Sequence, residues 1–329
     1  MALSALSRRG RYGLSCAFLS LVLAACGSSA SSTTGSAQSS GSAAAGSNAN
    51  LPAAAVKNAA IISGLKEDRA AAALVPASWR AKGTIKVATN ASYAPDEFIA
   101  SDNTTIVGWD PDLAEALGKL LGLKFQLVNA QFAEIIPGLA AGRYDLGMSS
   151  AGVEPYREKV IDFVTDFQAG LAFMVPSGSS VHPTSLASLC GVTLAVEQGS
   201  VEENTAQQQE TACAKTGNKL TIQVYPDQNA VNLALSSNRV QVAFADSPVV
   251  AYEVQLSQGK FTQSGSVFQA GPEGIEISKG NDGMNKALQA AMNDLISVGA
   301  YGKSLNNWGV GSGAIAKSQM EPPDSGSGS

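Results

Sequence analysis

Apolar positions along this 329-residue chain alternate between short buried runs and longer amphipathic ones. "TIKVATN" (84–90) reads as a buried strand entering the loop "SYAPDEF". "GWDPDLAEALGKLLGL" then sets Leu113, Leu117 and Leu120 on one helical face, with Asp110 as N-cap and Pro111 at the first helical position. The strand "KFQLVN" follows, then the helix "FAEIIPGLAAG", with Phe132, Ile135, Ile136 and Leu139 on its apolar side, and the strand "YDLGMSS". Strands alternating with helices predict an α/β unit with a largely parallel sheet.

A second series begins after the loop "PSGSSVHPTS". The strand "VTLAVEQG" (192–199) leads into Ser200-Val201-Glu202-Glu203, an S-x-x-E box that opens a helix. "LTIQVYP", the helical "DQNAVNLALSSN" and the strand "VQVAFAD" complete a second α/β unit. The strand-like "EGIEIS" and helices expected over 281–296 and 300–308 remain. Packing them on the first unit requires the chain to cross between units twice.

The ends of the chain carry no such pattern. Arg8, Arg9 and Arg11 precede the apolar run from Leu14 to Ala25, which is the architecture of an export signal. Twelve residues fall short of the roughly 20 needed to span a bilayer. "LAAC" (23–26) resembles the bacterial lipobox, whose cysteine is lipidated and becomes the mature N-terminus. Residues 27–50 hold only Gly, Ser, Ala, Thr, Asn and Gln, a flexible tether with an end-to-end distance on the order of 27 Å.

Charge narrows the partners. The 22 basic and 27 acidic residues give −5, and cleavage before Cys26 removes three arginines, leaving 19 − 27 = −8. No basic, aromatic-interleaved cluster offers itself to nucleic acid. The single histidine, His182, lies in a Ser/Pro loop, and neither a P-loop nor zinc-spaced cysteines occur, so no catalytic set, metal or cofactor is expected. Cys190 and Cys213 are the two cysteines left in an exported chain beside Cys26, and a disulfide between them is expected.

"VGWDPDLAEALGKLLG", "FAEIIPGLAAGRYDLGMSS", "YREKVIDF", "TLAVEQGS" and "ADSP" occur in that order between Thr84 and Val310. In them the chain resembles bacterial extracellular solute-binding proteins of the amino-acid type, which deliver ligand to ABC importers. The resemblance implies a two-lobed, type II periplasmic-binding-protein-like α/β fold. Its two crossover segments are expected near Phe173–Pro176 and Val267–Gly271, with ligand held between the lobes. The expected organisation is a signal peptide (1–25), anchor and linker (26–50), helical extension (51–83), lobe one (84–174 and 270–311), lobe two (175–269) and a disordered tail (312–329).

In open α/β sheets ligands sit beyond the carboxyl ends of strands, where Ser149, Ser150, Gly199, Ser200, Val201 and Asp246 fall. A zwitterionic amino acid needs a bidentate cation for its carboxylate and an anion for its ammonium. The resemblance assigns these roles to Arg157 and Asp246. On the residues alone, Arg157 could equally be a solvated charge pairing with Glu154 or Glu158, and Asp246 a plain N-cap. Tyr93 and Phe132 match positions that sandwich the ligand side chain, while Gly152 stands where relatives often carry a Ser or Thr that helps hold the ammonium. Asn90, Glu197 and Asp96 are expected to face the ligand side chain, which disfavours acidic ligands. The chain is thus expected to be a monomeric, lipid-anchored binding protein on the extracytoplasmic face of the cell membrane, taking a polar or cationic amino acid and handing it to importer subunits. A dehydratase related to the same family and a sensor ectodomain are the alternatives.

Overall fold

The computed structural model describes residues 51–320. The signal segment, Cys26, the tether and residues 321–329 lie outside the described residues. Three helices come first: α1 (Ala53–Gly64), α2 (Arg69–Leu74) and α3 (Ala77–Arg80). Lobe one continues through β1 (Thr84–Thr89), the short strands β2 (Ser92–Tyr93), β3 (Glu97–Ile99) and β4 (Ile106–Val107), then α4 (Trp109–Leu121), β5 (Lys124–Asn129), α5 (Phe132–Ala140) and β6 (Leu146–Gly147). The long β7 (Ile161–Pro176) carries the chain into lobe two. There β8 (Thr193–Glu197), α6 (Val201–Thr216), β9 (Thr221–Tyr225), α7 (Gln228–Ser236), β10 (Val242–Asp246) and α8 (Ser247–Leu256) follow. The equally long β11 (Phe261–Ser278) returns, and α9 (Asp282–Ser297) and α10 (Ala300–Trp308) finish on lobe one.

The main sheet has the order β5-β1-β6-β11-β7-β10-β8-β9. Parallel pairs β1/β5 and β8/β9 lie at its two ends, and the antiparallel pair β7/β11 runs through its middle. The structure is therefore the two-lobed type II α/β fold with two crossovers. Both crossovers are continuous strands, so each lobe is built on the same two backbones.

Packing places the first crossover earlier than expected. Phe167 packs in the lobe-one core, while Leu171, Phe173 and Val175 pack in a lobe-two core beside Phe244. Alternation along this strand sends Ala172 and Met174 to the opposite face of lobe two, against α7 and α8 residues such as Val231 and Val249. Residues 173–176 thus belong to lobe two, and the chain crosses between Phe167 and Leu171. On the return, Phe268 packs against lobe two and Ile275 against lobe one.

The expectation of a disordered tail from residue 312 is corrected for residues 312–320. Ser318 is 0% exposed and its hydroxyl donates to the Thr165 carbonyl at 2.6 Å. The Thr165 amide donates to the Gln319 carbonyl at 2.9 Å, and Met320 bridges Val164. In lobe one β7 pairs with β11 on one side only, since β10 reaches it from Leu171 onward, and the tail covers its other side at Val164 and Thr165.

Helix α1 is tied to the far side of lobe one. The Asn58 amide donates to Asp112 Oδ2 and to Ser304 Oγ, both at 2.7 Å, and the Trp308 indole donates to the same Asp112 oxygen. Ile62, Ala71 and Trp79 join the core with α9 and α10. Burying side chains of the size of Ile62 contributes about 1.5–3 kcal/mol each.

Candidate functional site

Between the lobes lies a cavity of about 720 Å³. Its walls carry Arg157 from the turn before β7, Glu197 from the end of β8, the first turn of α6 and Asp246 from the end of β10. Strand ends and a helix start meet there because parallel strands deliver their carboxyl ends to one edge of the sheet.

Arg157 is 3% exposed, which a solvated surface charge would not be. Its Nη1 donates to the Gly152 carbonyl at 2.9 Å and its Nη2 to the Gly199 carbonyl, in the other lobe, at 3.0 Å. The guanidinium lies 5.3 Å from the centre of the Phe132 ring and 5.6 Å from that of Tyr156. Among the described residues no carboxylate forms an ion pair with it. A guanidinium has five N–H donors, and two of its nitrogens are engaged by these carbonyls, so donors remain for a further acceptor in the cavity.

Asp246 stands at the N-cap position of α8, yet its side chain makes no capping bond. Its Oδ2 accepts from the Tyr93 hydroxyl at 2.9 Å, and the Asp246 amide donates to that hydroxyl oxygen at 3.0 Å. Burial pushes the Asp246 carboxyl up to about 6, against the lowering effects of Tyr93 and Arg157. Asn90 Nδ2 donates to Glu197 Oε1 at 3.0 Å, and the Gln228 amide donates to Ser92 Oγ at 3.1 Å. With Arg157–Gly199 and Tyr93–Asp246, these bonds close the lobes on each other. Burial, then repulsion from Asp227 and Asp246, raises Glu197 well above the usual carboxylate range.

Asn90, Tyr93, Phe132, Ser149, Ser150, Gly152, Glu197, Ser200 and Val201 all line the cavity with Arg157 and Asp246. Gly199 contributes a carbonyl rather than a wall. Its φ of +81° admits glycine, and a Cβ there would meet Ala133 Cα at 3.1 Å across the interface. Ser200 Oγ accepts from the Glu203 amide at 3.1 Å and caps α6, but the Glu203 carboxylate reaches back to the Gly199 amide rather than to Ser200.

Two expectations fail. Asp96 is fully buried behind the wall, accepting from the Trp109 indole at 2.7 Å and Ser150 Oγ at 3.0 Å, and does not line the cavity. Asp110 is not an N-cap: α4 starts at Trp109 after Gly108, and Asp110 Oδ2 accepts from the Ser150 amide at 3.0 Å. This bond helps hold Ser150 at its left-handed φ of +49°. Sequence reasoning missed Glu97, Tyr156, Glu202 and Glu273, all of which line the cavity.

Residues 85–311 match the family described as bacterial extracellular solute-binding proteins, family 3. The chain belongs to this family. It is 29% identical over 245 residues to the arginine-binding protein ArgT of Corynebacterium glutamicum, covering 74% of this chain and 80% of that one. An ancestral arginine-binding protein solved with arginine superposes with a TM-score of 0.64 at 28% identity, over 69% of this chain and 98% of its own. The ancestral amino acid-binding protein AncCDT-1, a precursor of cyclohexadienyl dehydratase, superposes with a TM-score of 0.64 at 27% identity, covering 70% and 97%. Among the described residues no helix is long and apolar enough to cross a membrane, and no cluster of His, Cys, Asp or Glu could hold a metal ion.

Proposed function

We propose that this solute-binding protein takes a cationic amino acid of the arginine, lysine and ornithine class, held between its lobes, and hands it to a membrane importer. The observation that carries the reading is the charge of the cleft: buried Arg157 and exposed Lys159 are outnumbered there by Glu97, Glu154, Glu197, Glu202, Asp246 and Glu273. One guanidinium suits one carboxylate, the ligand's own, and an ammonium is matched by Asp246. A second ligand carboxylate would meet uncompensated acids as closure strips its water, which is costly. A side-chain cation is instead paired by Glu197. Arginine-binding relatives support the same direction.

Closure is favoured because the ligand touches both lobes only when they meet. Cys26, by its lipobox-like setting, tethers the protein to the membrane, and stable attachment needs more than one hydrocarbon chain. Calorimetric titration with arginine, lysine, ornithine, glutamine, glutamate and aspartate tests the ligand reading. Binding of at least one cationic amino acid and none of the acidic ones is expected. Tight glutamate or aspartate binding without affinity for any cationic member would contradict it.

A further inference from the structure

Two acids that no family role claims lie beside Asp246. Glu202 is in the first turn of α6 and 2% exposed, and Glu273 is on β11 and 3% exposed. Both line the cleft cavity. Glu202 Oε1 and Glu273 Oε2 are shut off from water and have no hydrogen-bond partner. For both residues Asp246 is the foremost charged neighbour. The backbone of Glu273 bridges that of Gly152, directly before the Arg157 turn. Gly152 brings no polar side chain to this point, and a Cβ there would meet Val201 Cγ2 at 3.1 Å. Glu273 is the polar side chain on the bridged pair.

We propose that Glu202, Asp246 and Glu273 form a three-carboxylate cradle for the ligand's α-ammonium, with acids from two elements of lobe two and from the crossover strand. This rests on the amino-acid reading given above. A primary ammonium suits such a cradle because it carries three N–H donors on a compact charge, whereas a planar guanidinium pairs fork to fork with a single carboxylate. The cradle therefore takes the α-ammonium and leaves a side-chain cation to Glu197.

A proton balance follows. Burial and the charge of Asp246 hold Glu202 and Glu273 well above the usual carboxylate range, and burial holds Asp246 at about 6. Asp96, Asp166 and Asp110 also act on Glu273, Glu197 acts on Glu202, and Arg157 with the Tyr93 hydroxyl opposes them at Asp246. The ammonium arrives already protonated and favours ionised carboxylates. A cradle carboxyl therefore loses its proton to solvent as the ligand N–H bonds form. Ligand binding releases protons, and affinity rises with pH through the range in which the empty cradle is protonated.

The test is calorimetric titration of the full chain with arginine near neutral pH, in two buffers of different ionisation enthalpy. Wild-type protein is expected to release about one proton per arginine. Glu273→Gln and Glu202→Gln should each lose most of that release and bind arginine about tenfold or more weakly, as loss of a charged hydrogen bond implies. Glu253→Gln, a half-buried acid on α8 that does not line the cavity, should change neither quantity. If Glu273→Gln does not fold, Glu202→Gln carries the test. Arginine binding without proton release, or wild-type affinity and release in both variants, would overturn the cradle and leave the amino-acid reading standing. Failure of wild-type protein to bind any amino acid would overturn both.

Discussion

On the lobe-one side of the cleft, Asp96 accepts from the Trp109 indole and the Ser150 hydroxyl, Glu97 from Ser149 at 2.7 Å, and Asp110 from the Ser150 amide. On the lobe-two side and the returning crossover, Glu202 and Glu273 each keep an oxygen with no partner, and Asp246 is held by the hydroxyl of a residue from the opposite lobe. Both regions bury acids, and burial raises all of them. They differ in where the bonds go. Lobe-one acids bond mainly to their own lobe and shape the Ser149-Ser150 turn. Asp110 also keeps one oxygen without a partner, but it does not line the cavity, whereas Glu202 and Glu273 do. Neither buried charge nor a partnerless oxygen alone therefore singles out a candidate binding residue; the cradle proposal rests on both in residues that line the cavity.

The largest effect that sharpens this comparison is expected at Arg157, the buried cation of the cavity lining. Arg157→Lys keeps the charge but loses the fork and the simultaneous hold on the Gly152 and Gly199 carbonyls. Arginine affinity should fall by about 4 kcal/mol, near 1,000-fold, read by calorimetry. A folded variant with near-wild-type affinity would return Arg157 to a structural role.

The next effect separates the two ends of α6. Cys190 and Cys213 are bridged, closing a loop with a sequence separation of 23. Cys213 is twelve residues beyond Val201, about 18 Å along the helix from the cleft. Replacing both cysteines by serine should lower unfolding stability by about 3 kcal/mol, measured by denaturant melts, while leaving arginine affinity unchanged. A large loss of affinity at equal folding would place the cleft end of α6 under the control of the bridge.

The smallest effect is expected within the lobe-one group. Burial pushes Asp110 from 3.8 up to about 7. The folded state then holds a proton that the unfolded state releases between those values, so this group's contribution to stability declines as pH rises from about 4 to about 7. Asp110→Asn should flatten that part of the profile in thermal melts at several pH values and leave affinity within a few-fold. An unchanged pH slope would show that Asp110 is ionised in the fold.

Strand and helix order was legible in the sequence because each element carries its own period, and the disulfide because only two cysteines remained for an exported chain. The positions of the acids were less so. Asp110, two residues after a glycine and before a proline, looks like an N-cap, yet the helix starts two residues earlier than that reading requires and its carboxylate serves Ser150. Asp96 lies in a loop that does reach the cleft, but the Trp109 indole draws it inward. Glu202 follows a capping serine, where first-turn acids are ordinarily solvated, and the pointing of α6 at the cleft is a tertiary fact. Glu273 and Glu276 did carry a signal: two acids beside Ile275 and Ile277 in the buried stretch 273–277 are rarely there for packing. Alternation alone could not say which of them faces the ligand.

The most direct measurement is a structure of the protein with arginine bound. The ligand α-carboxylate is expected against the Arg157 guanidinium, its α-ammonium among Asp246, Glu202 and Glu273, and its side-chain guanidinium towards Glu197. A reversed ligand, with its side chain in the Asp246 cradle, or a ligand that leaves Arg157 bonded only to the Gly152 and Gly199 carbonyls, would contradict the assignment.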